Sequence, residues 1–239
     1  MKIIFHPASS RGYADHGWLK AAHSFSFAGY YNPEKVNFGV LRVLNDDIIA
    51  AGAGFGTHPH DNMEIITIPL EGSLEHKDSM GNGSIISSGE IQNMSAGSGI
   101  THSEFNPLAD KAGNLLQIWI FPKMKNITPR YGQLKYNTNE LSGTIKNYVS
   151  PVHGESTLWI NQDAWVSLSK PLNGTELVYQ IHKSGNGLYL FVIEGEVEIG
   201  NQKAGKRDAV GIWDTDTIRI NAVKDSFLLL LDIPMDTTH

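Results

Sequence analysis

The amino-acid sequence predicts an all-β protein built as two β-barrel units in tandem. Three observations carry that reading. Short apolar runs recur at close spacing, each bounded by Gly, Asn, Asp or Ser: FGVLRVLN (38–45), EIITIPLEG (64–72), GSIISSG (83–89) and NLLQIWIF (114–121). Their length and punctuation match strands of a barrel or sandwich, and the 3.6-residue apolar period of helices is scarce. The theme then returns, with LYLFVIEGEVEIG (188–200) echoing EIITIPLEGSLEH (64–76) through a shared strand–Glu–Gly–strand pattern, as an internal duplication would leave it.

The elements follow in order. One short helical piece is expected around Gly17 to His23, and strands from there on. Segment 122–150 holds Pro122, Asn126, Pro129, Asn137, Asn139 and Gly143 with few apolar runs, so it reads as a connector. This divides the 239 residues into a first unit, 1–135, and a second, 136–239, each large enough for a core of its own. Setting Gly195 against Gly72 places Ile181 and Lys183 where the first unit has His58 and His60. His182 lies between them and points to the opposite face of a strand. GKRDAVGIWDTD (205–216), opposite the segment of His102, has no histidine, so the second unit is expected to carry no metal ligands.

Composition narrows the function. A net charge of −6 and sparse basic clusters, Lys123 to Lys135 and Lys203 to Arg207, give no electrostatic footprint for direct nucleic-acid binding. The absence of cysteine excludes disulfides, thiolate catalysis and Cys-ligated metal sites. The start of the chain is too poor in apolar residues for a signal-peptide core, and no long apolar run follows. A cytoplasmic protein without membrane contact is therefore expected.

The chemistry lies in two short words, His58-Pro59-His60 and His102-Ser103-Glu104. Residues i and i+2 of a strand share a face, so each word projects a pair of donors. Facing each other inside a barrel, they would converge as three imidazoles and one carboxylate around a single divalent ion. The N/O set suits iron(II), favoured here, as well as manganese, nickel, copper or zinc. Five- or six-coordination would leave positions open for a ligand, whereas closed tetrahedral zinc would be purely structural. Because imidazoles bind metals only when unprotonated, loading is expected to weaken as pH falls toward and below about 6.5.

Gly52, His58, His60, Glu64 and Gly72 resemble the first cupin motif in spacing. Gly89, the Gly97-Ser98-Gly99 turn, His102 and Asn106 resemble the second, with Ser95 where many cupins have proline. More specifically, HSFSFAGYYNP (23–33), FGVLRVLNDD (38–47), GFGTHPHDNMEI (54–65), LEHKDSMGNG (74–83), MSAGSGITHSEFNP (94–107), QIWIFP (117–122) and ITPRYGQ (127–133) resemble the pirin family. The resemblance covers the first 135 residues almost without a break and is weaker beyond, resting there on the GIWD segment, 211–214.

That resemblance implies a bicupin, two jelly-roll-type barrels with one mononuclear metal in the first. Its ligands carry over to His58, His60, His102 and Glu104. The general cupin pattern would nominate Glu64 instead, and strand parity alone leaves both glutamates open. Pro69, which removes a ladder donor, implies a bulge or edge position in the pocket wall. The activity implied is that of a quercetin 2,3-dioxygenase: oxygen-dependent opening of a flavonol with release of carbon monoxide, in which Glu104 would take the proton of the 3-hydroxyl. Phe25, Phe27, Phe38, Phe55 and Phe105 could wall a slot for a flat aromatic substrate. His23 and His76 read as structural or surface residues, and Arg42 and Asp46-Asp47 as supports of a turn or ion pair. Two other readings share these residues: a redox-sensing regulator acting through a protein partner, and a cupin enzyme acting on another small metabolite.

Overall fold

The computed structural model describes residues 1–154 and 156–237. Apart from two short 3-10 turns, Ala8–Ser10 and Thr138–Leu141, every regular element among the described residues is a strand. The short helix expected near residues 17–23 is instead the strand Leu19–His23. Leu19, Ala21 and His23 are buried and Lys20 is exposed, a period of two. Pairing with Leu41–Ile49 gives its backbone partners that a helix of so few residues would not hold in water.

Each half is a seven-stranded sheet facing a four-stranded one. In the first, the order is Arg130–Lys135, Glu90–Ser95, Glu64–Glu71, Gly113–Ile120, Leu41–Ile49, Leu19–His23, Gly12–Asp15, opposite Gly54–His60, Ile100–Phe105, Ser73–Asp78, Gly83–Ser87. The second repeats the plan, with Asn186–Glu194 standing where Glu64–Glu71 stands and Thr217–Ala222 where Ile100–Phe105 stands. Gly72 and Gly195 occupy the same hairpin in each unit, at φ 76° and 88°, a conformation that glycine adopts without a Cβ penalty.

Two features cross the division expected from sequence. The strand Lys2–His6, within the segment 1–135, pairs in register with Ala209–Trp213 and so extends the second unit's sheet. The segment 122–150 is not all connector: Arg130–Lys135 pairs with Glu90–Ser95 of the first unit, and Lys146–Ser150 with Trp165–Ser169 of the second. Pro122, Asn126, Pro129, Asn137 and Asn139 lie outside both strands, and Arg130–Lys135, at the edge of its sheet, needs little apolar content to hold its ladder.

The strand faces explain what the apolar runs are for. The two seven-stranded sheets press their outer faces together, burying Leu44, Ile66, Ile68, Leu116 and Ile118 against Tyr189, Phe191, Leu229, Leu231 and Ile233. The alternate residues of the second unit, Leu188, Leu190, Val192, Leu228 and Leu230, fill its own barrel with Ile218 and Ile220. Both faces of those strands are therefore dry, and their sequences are unbroken apolar runs. In the first unit the inward row is polar. Thr67, Gln117 and Asn45 are paired side by side there, where the second unit has Leu190, Leu230 and Ser167. Pro69 lies beyond the end of the pairing with Glu90–Ser95, which stops at Thr67, and a register shift follows between Asn114 and Leu115. The expected bulge is thus present, at a place where no ladder donor is missed.

The two units are also joined by charge. Asp46 Oδ2 meets Arg207 Nε at 2.8 Å and Arg11 Nη1 at 3.6 Å, with all three side chains mostly buried. Asn114 Nδ2 donates to Asp46 Oδ1 at 2.7 Å, and Arg207 Nη2 donates to Asn114 Oδ1 at 3.0 Å. Arg207→Met keeps the bulk of the side chain and strands the carboxylate. It is expected to lower stability by about 2 kcal/mol, less than for a fully buried pair because Arg11 remains, and to appear as a lower urea midpoint at unchanged slope.

Candidate metal centre

The Gly54–His60 and Ile100–Phe105 strands pair antiparallel, with His102 directly opposite His58 and His60 opposite Ile100. The three imidazoles face one another in the first barrel, with ring centroids at 4.4 Å (His58–His102), 4.8 Å (His58–His60) and 4.9 Å (His60–His102). Their nearest nitrogen atoms lie within 4.8 Å of one another. A backbone carbonyl only accepts, so the 2.8 Å contact of His58 Nδ1 with Gly56 O puts the proton on Nδ1 and leaves Nε2 bare. His102 Nε2 is buried with no hydrogen-bond partner. A buried bare nitrogen is costly unless something coordinates it, so this donor set fits a metal cation.

Glu104 lines the same recess as the three histidines. It belongs to a second, overlapping group with His102 and His76, whose ligand atoms also lie within 4.8 Å of one another. Gln117 Nε2 donates to both carboxylate oxygens, at 3.0 and 3.3 Å, and Thr67 Oγ1 in turn donates to Gln117 Oε1 at 3.2 Å. His102 is thus the member common to both groups. His76 has neither nitrogen free: Nε2 lies 3.1 Å from Asp78 Oδ2 and Nδ1 3.5 Å from His102 Nδ1.

Glu64 is elsewhere. The turn at 61–63, with Asn62 at φ 45°, breaks the parity that linked it to His60. Its side chain lies on the outer face, where Ser95 Oγ donates to it at 2.8 Å and Asn93 Nδ2 and the Asn161 backbone N–H at 3.3 Å. Burial raises its pKa to about 7.

Burial dominates the electrostatics of the site. It pushes His60 down to about 4 and His102 to about 3, with neighbouring histidines adding to the effect. Burial raises Glu104 to about 7, against the hydrogen bonds from Gln117 and Thr67. Asp47 is raised by burial to about 8, with Asp46 and Glu104 adding to it. The metal-free pocket therefore keeps two imidazoles ready for an ion, Asp47 largely protonated and Glu104 about half protonated at neutral pH.

A recess opens over the three histidines and Glu104. Phe27, Phe55, Ile65 and Trp119 form its apolar wall, and Asn45, Asp47 and Gln117 add polar groups. Of the five phenylalanines expected to supply a slot, only Phe27 and Phe55 do. Phe25 and Phe38 fill the core between the barrels, and Phe105 points outward, 37 % exposed. Phe55 enters because the strand pairing shifts register between His102 and Glu104, setting Phe55 opposite Glu104 and reversing its expected side. Trp119, edge-on to Phe27 and His60, was hidden in what reads as a core strand. Asp47, expected together with Asp46 to support a turn or ion pair, instead turns into the recess, and it is Asp46 that pairs with Arg207. Arg42 pins the loop that carries Phe27, Nη1 donating to Ser26 O and Val36 O. His23 supports the wall through Asn45 Oδ1 at 2.9 Å. In the second unit His182 stacks on Trp165 and bonds Asp232, and no potential metal group falls there among the described residues.

Two cupin barrels in tandem, with histidines gathered in the first and an apolar interior in the second, define a bicupin with a single metal-type site. Sequence models of two families match in chain order: Pirin over residues 5–120 and the quercetinase C-terminal cupin domain over 148–233. A protein of Escherichia coli (strain K12) named quercetin 2,3-dioxygenase is 44% identical over 232 residues, 97% of this chain and 99% of that protein. A pirin-like protein of Caulobacter vibrioides is 41% identical over 227 residues, 95% and 97% of the two chains. The crystal structure of the E. coli bacterial pirin YhhW in complex with nickel(II) superposes with a TM-score of 0.92 at 43% identity, covering 98% of this chain and 99% of that one. The chain belongs to the pirin family, and its cluster is suited to a single divalent metal.

The pKa directions refine the expected pH dependence of loading. As ligands, His60 and His102 would compete with protons only well below the ordinary histidine range, and Glu104 would bring competition near pH 7. A carboxyl raised to about 7 is mostly protonated at pH 6 and mostly ionised at pH 8. Loading with zinc(II) at pH 6 is therefore expected to release about one proton more from the wild type than from Glu104→Gln, a difference that fades by pH 8. Titration calorimetry in buffers of different ionisation heat reads it directly.

Proposed function

We propose that this protein is a metal-dependent dioxygenase of the quercetin 2,3-dioxygenase type, with His58, His60, His102 and Glu104 holding one divalent ion. The observation that carries the proposal is the joint presence, in one recess, of a bare histidine cluster, a carboxyl raised to about 7 and an apolar aromatic wall. Relatives that carry the name over nearly the whole chain support it. Iron(II) remains the favoured ion, and the nickel complex of the E. coli pirin supports nickel as another.

When bound, the metal supplies Lewis acidity and open coordination positions for substrate. The residues of the chain do the rest. Phe27, Phe55, Ile65 and Trp119 take a flat aromatic skeleton and exclude water from its faces. Glu104 accepts the proton from the flavonol 3-hydroxyl, and Gln117 keeps the carboxyl oriented through both of its oxygens. The overall reaction consumes one dioxygen and releases one carbon monoxide with the opened ester.

Oxygen uptake with quercetin, measured after separate reconstitution with iron(II), manganese, nickel, copper and zinc, tests the proposal. Metal-dependent uptake with carbon monoxide release is expected, absent in the His58→Ala, His60→Ala double variant. Glu104→Gln should fold normally and lose about 10²-fold or more in turnover, the usual share of a general base. Binding of every metal without uptake would overturn the flavonol reading and favour a redox-sensing or other-substrate role. Trp119→Ala should raise KM more than it lowers kcat, since the indole contributes shape and not proton transfer.

A further inference from the structure

The cluster continues past its ligands into a buried chain that the proposed reaction does not use. His76, fully buried, stands directly opposite Glu104, and Asp78 directly opposite His102. His102 Nδ1 lies 3.5 Å from His76 Nδ1, and His76 Nε2 lies 3.1 Å from Asp78 Oδ2. Asp78 is itself fixed. The backbone N–H groups of Met80 and Asn82 donate to its Oδ1 at 2.9 and 3.0 Å, and Asn82 Nδ2 donates to its Oδ2 at 2.8 Å.

We infer that Asp78 and His76 are positioning residues that set the tautomer of His102, holding its Nε2 bare for the metal. The inference rests on His102 being a ligand through Nε2, as proposed above. Proton bookkeeping leads to it in three steps. The carboxylate of Asp78 can only accept, so His76 carries its proton on Nε2. His76 Nδ1 is then an acceptor, so the proton of a neutral His102 sits on Nδ1 and points at it. His102 Nε2 is left bare, and it is the buried nitrogen for which the protein supplies no partner. The negative end of the chain also increases the electron density of the His102 ring, which strengthens it as a donor. Because both nitrogens of His76 are spent in this chain, the alternative grouping of His76 with His102 and Glu104 does not form a second metal site.

Asp78→Asn tests the chain sharply. Two backbone N–H groups hold the oxygen at the Oδ1 position, so the amide nitrogen takes the place of Oδ2, the Asn82 side-chain amide turning to present its oxygen to it, and faces His76 Nε2 as a donor. His76 then carries its proton on Nδ1, opposes the Nδ1 proton of His102 and drives that ring to the Nε2–H form, which blocks coordination. Long-range 1H–15N correlation of the imidazoles at pH 8 reads this in metal-free protein. The expected wild-type pattern is His102 Nδ1–H with His76 Nε2–H, and the expected Asp78→Asn pattern is the reverse.

Zinc(II) affinity, measured by chelator competition, should fall about 10- to 100-fold in Asp78→Asn. It should fall less in His76→Phe, which removes the acceptor without imposing the wrong tautomer. A merely structural role predicts the opposite order, since filling a buried polar site with a larger ring disturbs packing more than an isosteric amide. Unchanged tautomers in Asp78→Asn, or affinity lost more in His76→Phe, would overturn the inference. His102→Ala separates the two readings. If it binds zinc(II) as tightly as the wild type, the ligand assignment fails and the positioning role fails with it; if it loses the metal while Asp78→Asn keeps it, only the positioning role fails.

Discussion

The apolar contact between the two seven-stranded sheets is what the rest of this molecule depends on. A barrel of this size ordinarily folds around its own dry interior. Among the described residues, the first barrel holds two small apolar clusters inside, one around Leu19, Ile49 and Leu115 and the other around Ile65, Met94 and Ile100, on either side of polar residues. Histidines, carboxyls and amides occupy the space where the second barrel has leucine and isoleucine. Burying such groups costs free energy. The compensation comes from outside that barrel, where Ile66, Ile68, Leu116 and Ile118 bury themselves against the second unit. The second unit thus does for the first what a core would do, and strand Lys2–His6, reaching across to its sheet, ties the chain's beginning into the same contact.

The division of labour follows from the two-residue period of a strand. Along Glu64–Glu71 and Gly113–Ile120 one face is committed to the partner barrel and the other is free to become chemical. Gln117 between Ile118 and Leu116 shows the principle: its neighbours in sequence hold the barrels together while its own amide holds Glu104. Asp46 and Asp47 show it again, one carboxyl bracing Arg11 and Arg207, the other turned into the recess. Stability and chemistry are interleaved residue by residue, so neither is confined to a segment.

Desolvation ties the site's electrostatics together. The burial that keeps His60 and His102 unprotonated also keeps Asp47 mostly protonated at neutral pH and Glu104 about half so, which reduces the charge the metal-free pocket buries. A divalent cation changes that balance at once, favouring the ionised carboxyl and using the bare nitrogens. The aromatic wall contributes by keeping the dielectric low, and the loop bearing Phe27 is itself held by Arg42.

Much of this was legible in the amino-acid order because it depends on local period and spacing. The all-β class, the repeated hairpin at Gly72 and Gly195, and the paired projection of His58 with His60 and of His102 with Glu104 follow from the period and punctuation of single strands. Tertiary structure alone decided what depends on which strands lie side by side. It turned residues 19–23 into a strand by giving them a partner, and took Lys2–His6 into the other unit's sheet. It placed Phe55 in the recess through a register shift, and sent Phe25 and Phe38 to the core between barrels. It also set Glu64 on the outer face and brought His76 and Asp78, twenty-odd residues away in sequence, behind His102. The physical reason is the same in each case: a period of two tells which residues share a face, but only pairing and register tell which face meets which.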